Sequence, residues 1–400
     1  MFTKYSTVDS VTLKPKKEII GSLTGIKFFL CVLVILSNMM LYVDVNPGFA
    51  QHLYIGSFAS FITVTFRVDV FFMITGFLLV HLYTEKFSGG IEWKKYKNFL
   101  IVRIARLYPL YLFVLFLVLV MYKLGIWSDL MKTVPYADSS ERVVMPWSWL
   151  YNLTLTTAWG LTDGKTAWNG PAWSISAEFF NYLTFPFYIY IISRLKHWRT
   201  QLYSLLTICC LYAFLQQHFI QDYIIDHGYG ALVRANFGLL TGALVHGLYA
   251  HLKPTKGVIW DKIFLLNLGI VVGMMAIEGY EILIIPKIIY MVFLVSLVLC
   301  LSLVSGSVNR FLTHPVSMFL GKLSFGMYLL HQPVIRLMRY FFEDYYLAIE
   351  ADNFVVIVSN ILAIYAVIIF LSYLAHIFIE TPARYKLREK MGIKTVEVRL

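Results

Sequence analysis

SLTGIKFFLCVLVILSNMMLYV, residues 22–43, decides the class of this protein. The run is apolar from end to end and holds a single charge, Lys27. About 20 such residues span the ~30 Å hydrocarbon core of a bilayer as one helix. The run is also too long for the apolar core of a cleavable leader, and no small-residue cleavage site follows it. It reads as a retained first span.

Working outward, nine more segments carry the same signal: 58–83, 104–123, 175–193, 201–219, 231–250, 263–278, 282–304, 323–343 and 353–378. None alternates strictly between apolar and polar, so helices are expected rather than a barrel. The composition agrees. Hydrophobic residues make up 59% of the 400, charged ones 14%, and the mean hydropathy is +0.69. Soluble domains carry about 25% charged residues. The expected fold is therefore all-α: a polytopic bundle of about ten transmembrane helices. Its parts are a cytoplasmic N-terminal segment (1–21), the membrane domain (22–378) and a basic tail (379–400).

The net charge of +11 is explained by topology, and nucleic acid is not needed as a partner. Basic residues cluster on alternate sides of the spans: Lys14, Lys16 and Lys17; Lys94, Lys95, Lys97 and Arg103; Arg194, Lys196 and Arg199; Lys253, Lys256 and Lys262; Arg310 and Lys322; and the tail from Arg384. The intervening segments hold Asp129, Asp138, Glu141, Asp222, Asp226, Glu281, Asp344 and Asp352. The positive-inside rule then puts both termini in the cytoplasm. The four cysteines (Cys31, Cys209, Cys210, Cys300) fall within apolar segments, and none has metal-ligand spacing. No metal is expected.

Ionisable groups inside spans are costly and so mark candidate sites. Lys27 either snorkels to the interface or serves a site. Asn38 follows eleven residues later, about 16 Å along the axis, where an amide most often bonds between helices. Arg67 and Asp69 in FRVDVFFMITGFLL (66–79) are two apart and cannot face each other, so each needs another helix or a polar cavity. Arg103 and Arg106 share one face of RIARLYPLY (103–111). They suit a phosphate-rich ligand or, equally, lipid headgroups. In WSISAEFFNYLTFPFY (173–188), Trp173 and Ser174 open a span and Glu178 lies one turn in, near the positive end of the helix dipole. GKLSFGMYLLHQPVI (321–335) buries Ser324, Tyr328 and His331; the imidazole suits proton transfer. The long 124–174 segment is a functional loop, and its aromatic part (145–160) suits the membrane interface.

Together with TGIKFFLCVLVILSN (24–38) and IETPARY (379–385), these motifs occur in an order that resembles acyltransferase family 3. That family comprises polytopic membrane O-acyltransferases, among them O-antigen and peptidoglycan acetylases. The resemblance implies an acyl-CoA donor, commonly acetyl-CoA, bound from the cytoplasm. It implies acyl transfer to a hydroxyl of an extracytoplasmic or cell-surface carbohydrate, and a place in the bacterial inner membrane. Arg103 and Arg106 match the family's coenzyme-binding pair. Lys27, Asp69, Glu178 and His331 match catalytic positions, and Arg67, Trp173, Ser174 and Tyr328 match substrate-binding ones. The family's first span carries a basic residue, ten residues, then His as base or acyl carrier. Here Lys27 is followed by Asn38, which has no titratable nitrogen. His52 and His331 are the substitutes in view. A transporter or flippase of a lipid-linked or anionic molecule is the competing reading, and a non-catalytic member of the fold is a third.

Overall fold

The computed structural model describes residues 19–42, 66–126, 147–161, 168–218, 228–279, 287–341 and 354–390. Among them there is no strand. The helices are α1 Gly21–Tyr42, α2 Phe66–Phe87, α3 Trp93–Lys123, α4 Ser148–Leu153, α5 Ala172–Ile192, α6 Trp198–His218, α7 Gly228–Leu252, α8 Val258–Gly279, α9 Lys287–Leu303, α10 Ser307–Leu312, α11 Pro315–Phe341, α12 Phe354–Ala375 and α13 Thr381–Lys390. A π-turn, His376–Glu380, joins the last two.

A helix occupies each of the ten expected segments, although residues 58–65 and 282–286 lie outside the described ones. Among the described residues, five stretches are long and apolar enough to cross a membrane: Gly21–Met39, Val68–Phe87, Trp93–Lys123, Gly228–Thr255 and Val358–Leu387. α9 is apolar but shorter. α11 carries Lys322, His331, Gln332 and Arg336, which lower its hydropathy. In a bilayer a helix satisfies its own backbone, so the remaining problem is side-chain packing.

Small residues solve it. α2 and α7 form the most extensive pair, and α7 presents Gly238 and Gly242 four residues apart. A Cβ on Gly242 would sit 1.8 Å from the Met73 carbonyl oxygen, and one on Gly76 would sit 2.0 Å from that of Leu239. The two backbones therefore touch, as small-xxx-small interfaces in membranes do. α1 and α11 repeat the device. A Cβ on Gly321 would meet the Thr24 carbonyl oxygen at 2.2 Å, and one on Gly25 of α1 would meet that of Leu312, at the end of α10, at 2.0 Å. α12 packs on α11, and α5 and α6 pack on α7.

The short helix α4 folds back over α3. Tyr108 and Tyr111 donate to the carbonyls of Leu153 and Asn152, at 2.6 and 2.9 Å. Trp147 and Trp149 stay exposed on the outside of that turn, where indoles favour a membrane interface.

Gly242→Leu forces α7 away from α2. Overpacking of this kind costs about 1–3 kcal/mol, so thermal unfolding in detergent, followed by tryptophan fluorescence, should shift down by several degrees. Gly269→Leu is the control, because nothing lies within 4 Å of a Cβ there. Equal melting of the two variants contradicts the close α2–α7 contact.

Candidate functional site

Five helices converge on a narrow cavity of about 70 Å³ in the middle of the bundle. α1 supplies Lys27, α2 supplies Val68, Phe71, Phe72 and Thr75, and α3 supplies Arg106. α5 adds Ser174, Ile175 and Glu178, and α11 adds Ser324, Phe325 and Tyr328. Helical spacing explains the convergence: 68, 72 and 75 on α2, and 174 and 178 on α5, each line one face. Five motifs that lie far apart in the chain thus line one cavity.

The cavity holds two cations and one carboxylate. Lys27 and Arg106 make no hydrogen bond or ion pair among the described residues. Arg106 is exposed although it sits on the inner wall, so its guanidinium opens onto the space. Glu178 accepts a short hydrogen bond from the Tyr182 hydroxyl, one turn along α5. That bond holds one carboxylate oxygen and leaves the other to the cavity. Ser174 Oγ lies 2.8 Å from Tyr328 Oη and 3.1 Å from the Pro171 carbonyl. One hydroxyl proton serves only one of these contacts at a time. The lining therefore combines two cations, one carboxylate, the hydroxyls of Thr75, Ser174, Ser324 and Tyr328, and apolar side chains.

Arg103 lies elsewhere. It is 8% exposed, and its guanidinium carbon sits 4.9 Å from the ring centre of Tyr83, 5.5 Å from Phe99 and 5.7 Å from Tyr182. An aromatic box compensates a buried guanidinium through the ring quadrupoles. Arg103 and Arg106 share a helix face, but one is packed among rings and the other faces the cavity.

Asp69 and Trp173 belong to a second layer. Arg234 on α7 donates through Nε to Asp69 Oδ1 at 2.6 Å and through Nη2 to Oδ2 at 3.4 Å. Its guanidinium carbon stands 5.3 Å from the centre of the Trp173 ring. At 2% exposure Arg234 is among the largest fully buried side chains. Sequence reasoning passed over it, although an arginine in the middle of an apolar span marks a buried polar contact or a functional site.

The remaining candidates stand apart. Asn38 donates its amide to the Val34 carbonyl on its own helix at 2.9 Å and does not line the cavity. His331 is completely buried. Its Nδ1 is 2.6 Å from the Tyr328 carbonyl oxygen, and its Nε2 has no partner among the described residues. Its ring centre lies 5.8 Å from that of Tyr328, so it backs the cavity rather than facing it. Arg67 lies in the first turn of α2 with its side chain outside the described residues, and His52 lies outside them altogether.

The segment before α5 is tied to α4 and α11. Trp168 donates to the Asn152 side chain and to Ser148 Oγ. Asn169 donates to the Leu329 carbonyl at 3.0 Å, and the Gly170 amide donates to Gln332 at 2.8 Å. These contacts tie the loop to α11 on either side of His331. Near the other end of α3, Glu380 in the π-turn accepts from Arg384 and pairs with His376. It too was missed, although Arg384 stands one turn later in the same motif.

Residues 20–377 match the family described as an acyltransferase domain. This chain belongs to acyltransferase family 3. The match covers every helix that builds the cavity. Acyltransferase MdmB of Streptomyces mycarofaciens is 27% identical over 190 residues, which is 46% of this chain and 42% of that protein. The chain thus spans less than half the length of this curated relative. No solved structure matches the chain. As a family 3 member with several apolar, membrane-length helices, it is an integral membrane protein.

Asp69→Asn removes the counter-charge of Arg234. Breaking a buried pair by removing one partner costs about 3–5 kcal/mol. The single variant should melt far below the parent in detergent, and Asp69→Asn with Arg234→Gln should recover much of the loss. A neutral single variant contradicts the pairing.

Proposed function

We propose that this chain is a membrane O-acyltransferase scaffold that takes an acyl group from a cytoplasmic acyl-CoA and presents it to a hydroxyl of an extracytoplasmic or cell-surface glycan. The observation that carries the reading is the pair of cations, Lys27 and Arg106, that line one cavity beside the single carboxylate of Glu178 and make no hydrogen bond or ion pair among the described residues. Two cations beside one carboxylate leave an excess positive charge among membrane helices, which is costly. It is retained where a ligand supplies the opposite charge. The phosphates of a coenzyme, or the oxyanion formed when a hydroxyl attacks a thioester, are anions of this kind.

The cavity size favours a short acyl group. At about 70 Å³ it is smaller than the ~150 Å³ apolar cavity that admits benzene, which suits acetyl better than a long chain. Glu178, held by Tyr182, is placed to orient or deprotonate an acceptor hydroxyl. The Ser174–Tyr328 pair is placed to donate to the thioester oxygen. Arg106 rather than Arg103 is the candidate for donor phosphate, because Arg103 is already compensated by three rings. The ten helical segments span the membrane with both termini in the cytoplasm, in keeping with the charge distribution. A bacterial inner membrane is the location that fits this reading and the family's usual chemistry.

Asn38 favours a second reading, a member that binds but transfers poorly. Its amide is spent on its own helix and has no titratable nitrogen. A transporter is less well supported, since the buried Asp69 carboxylate is closed off by Arg234 rather than facing a path.

Asn38→His tests the reading. General acid–base catalysis contributes about 10²–10⁴-fold. The variant should therefore raise acetyl transfer from acetyl-CoA to a glycan acceptor, or its hydrolysis, by at least tenfold in proteoliposomes. No gain in a folded variant rules out a site that lacks only an imidazole at position 38.

A further inference from the structure

A second cavity of about 440 Å³ lies at the opposite ends of α2 and α5 from the first, where they meet α6 and α7. Its volume is in the range of ligand pockets, about 300–1,000 Å³. Its inner wall is apolar: Val80, Ile189, Ile192 and Ala243. Its rim is basic and aromatic: Lys196, His197, Trp198, His246 and His251. No lining residue is acidic.

The rim is ordered by contacts among its own side chains. Trp198 stacks on His251 with ring centres 5.3 Å apart and planes 15° from parallel. His246 Nε2 lies 3.2 Å from His81 Nδ1, and its ring packs edge-on against Phe77. Gln201 is fixed by donating to the Leu195 carbonyl at 2.6 Å. Arg194 and Arg199 flank the rim in sequence, and Lys253 and Lys256 follow the end of α7. The outward faces beside the cavity are apolar, with Leu82, Ile191 and Tyr203 all exposed. On helices of a membrane protein such side chains meet lipid. An occupant entering here meets hydrocarbon-facing walls below and cationic or hydrogen-bonding side chains above.

We infer that this cavity binds an anionic phospholipid, with an acyl chain along Val80, Ile189 and Ile192 and the phosphate against Lys196, His197 and His251. A compact ammonium and two imidazole N–H donors suit a phosphodiester. Basic residues at the ends of membrane helices attract anionic headgroups. The inference does not rest on acyl transfer, and it would hold for a non-catalytic member too.

The test is native mass spectrometry of the full chain released from nanodiscs of mixed phosphatidylglycerol and phosphatidylcholine. The parent should retain one phosphatidylglycerol per chain in preference to phosphatidylcholine. Lys196→Ala with His251→Ala should retain about fivefold less, the equivalent of ~1 kcal/mol for one basic residue near an anionic surface. Ala250→Trp fills the cavity and keeps the cations, and it should lose retention as well. Equal retention in all three overturns the site. Loss in the double variant alone overturns the cavity in favour of general surface attraction. Displacement of the lipid by free CoA or inorganic phosphate assigns the rim to a soluble phosphate compound and also overturns the proposal. Should Ala250→Trp fail to fold, a phosphatidylglycerol with a photoreactive acyl chain replaces it. Cross-links on α5 and α7 support the site, and cross-links confined to other helices refute it.

Discussion

A charge inside a membrane must be matched or used, and this constraint organises the bundle. Arg234 is matched by Asp69 at 2.6 Å across α7 and α2, the two helices whose backbones touch. Arg103 is matched by the faces of three aromatic rings. Lys27 and Arg106 share one cavity with the single carboxylate of Glu178, make no ion pair among the described residues, and so leave an excess positive charge there. The matched charges hold the scaffold together, and the excess charge marks where an anion belongs.

The scaffold explains how distant motifs meet. The glycine contacts between α2 and α7, and between α1 and α11, bring backbones close enough for single-turn side chains to share a wall. Two tyrosines on α3 hold α4 in place, and α4 in turn holds Trp168. The loop then reaches α11 through Asn169 and Gly170. The residues just before α5 are thus tied to α4 on one side and to α11 on the other.

Much of this was legible in the sequence. Apolar runs of membrane length announce themselves, and each expected segment is helical where described. Lys27, Arg106, Ser174, Glu178 and Tyr328, picked out as polar intruders in apolar runs, lie around one cavity. What could not be read was pairing. Helical periodicity puts Arg103 and Arg106 on one face but does not say that aromatic rings surround the first and open space the second. Arg234 was overlooked because its partner lies 165 residues away. Glu380 was overlooked because only the π-turn carries it inward. Asn38 aligns with Lys27 by spacing, yet its amide turns back to Val34. That self-satisfied amide is the main physical reason to separate binding of the donor from its chemistry.

The most direct measurement of the central claim is calorimetric titration of acetyl-CoA into the protein in nanodiscs, with Lys27→Ala/Arg106→Ala in parallel. Saturable binding near one site per chain, weakened by salt in the parent and lost in the double variant, is the predicted result. Absence of binding to the folded parent, or equal binding by the double variant, would contradict the assignment of the two cations to the donor.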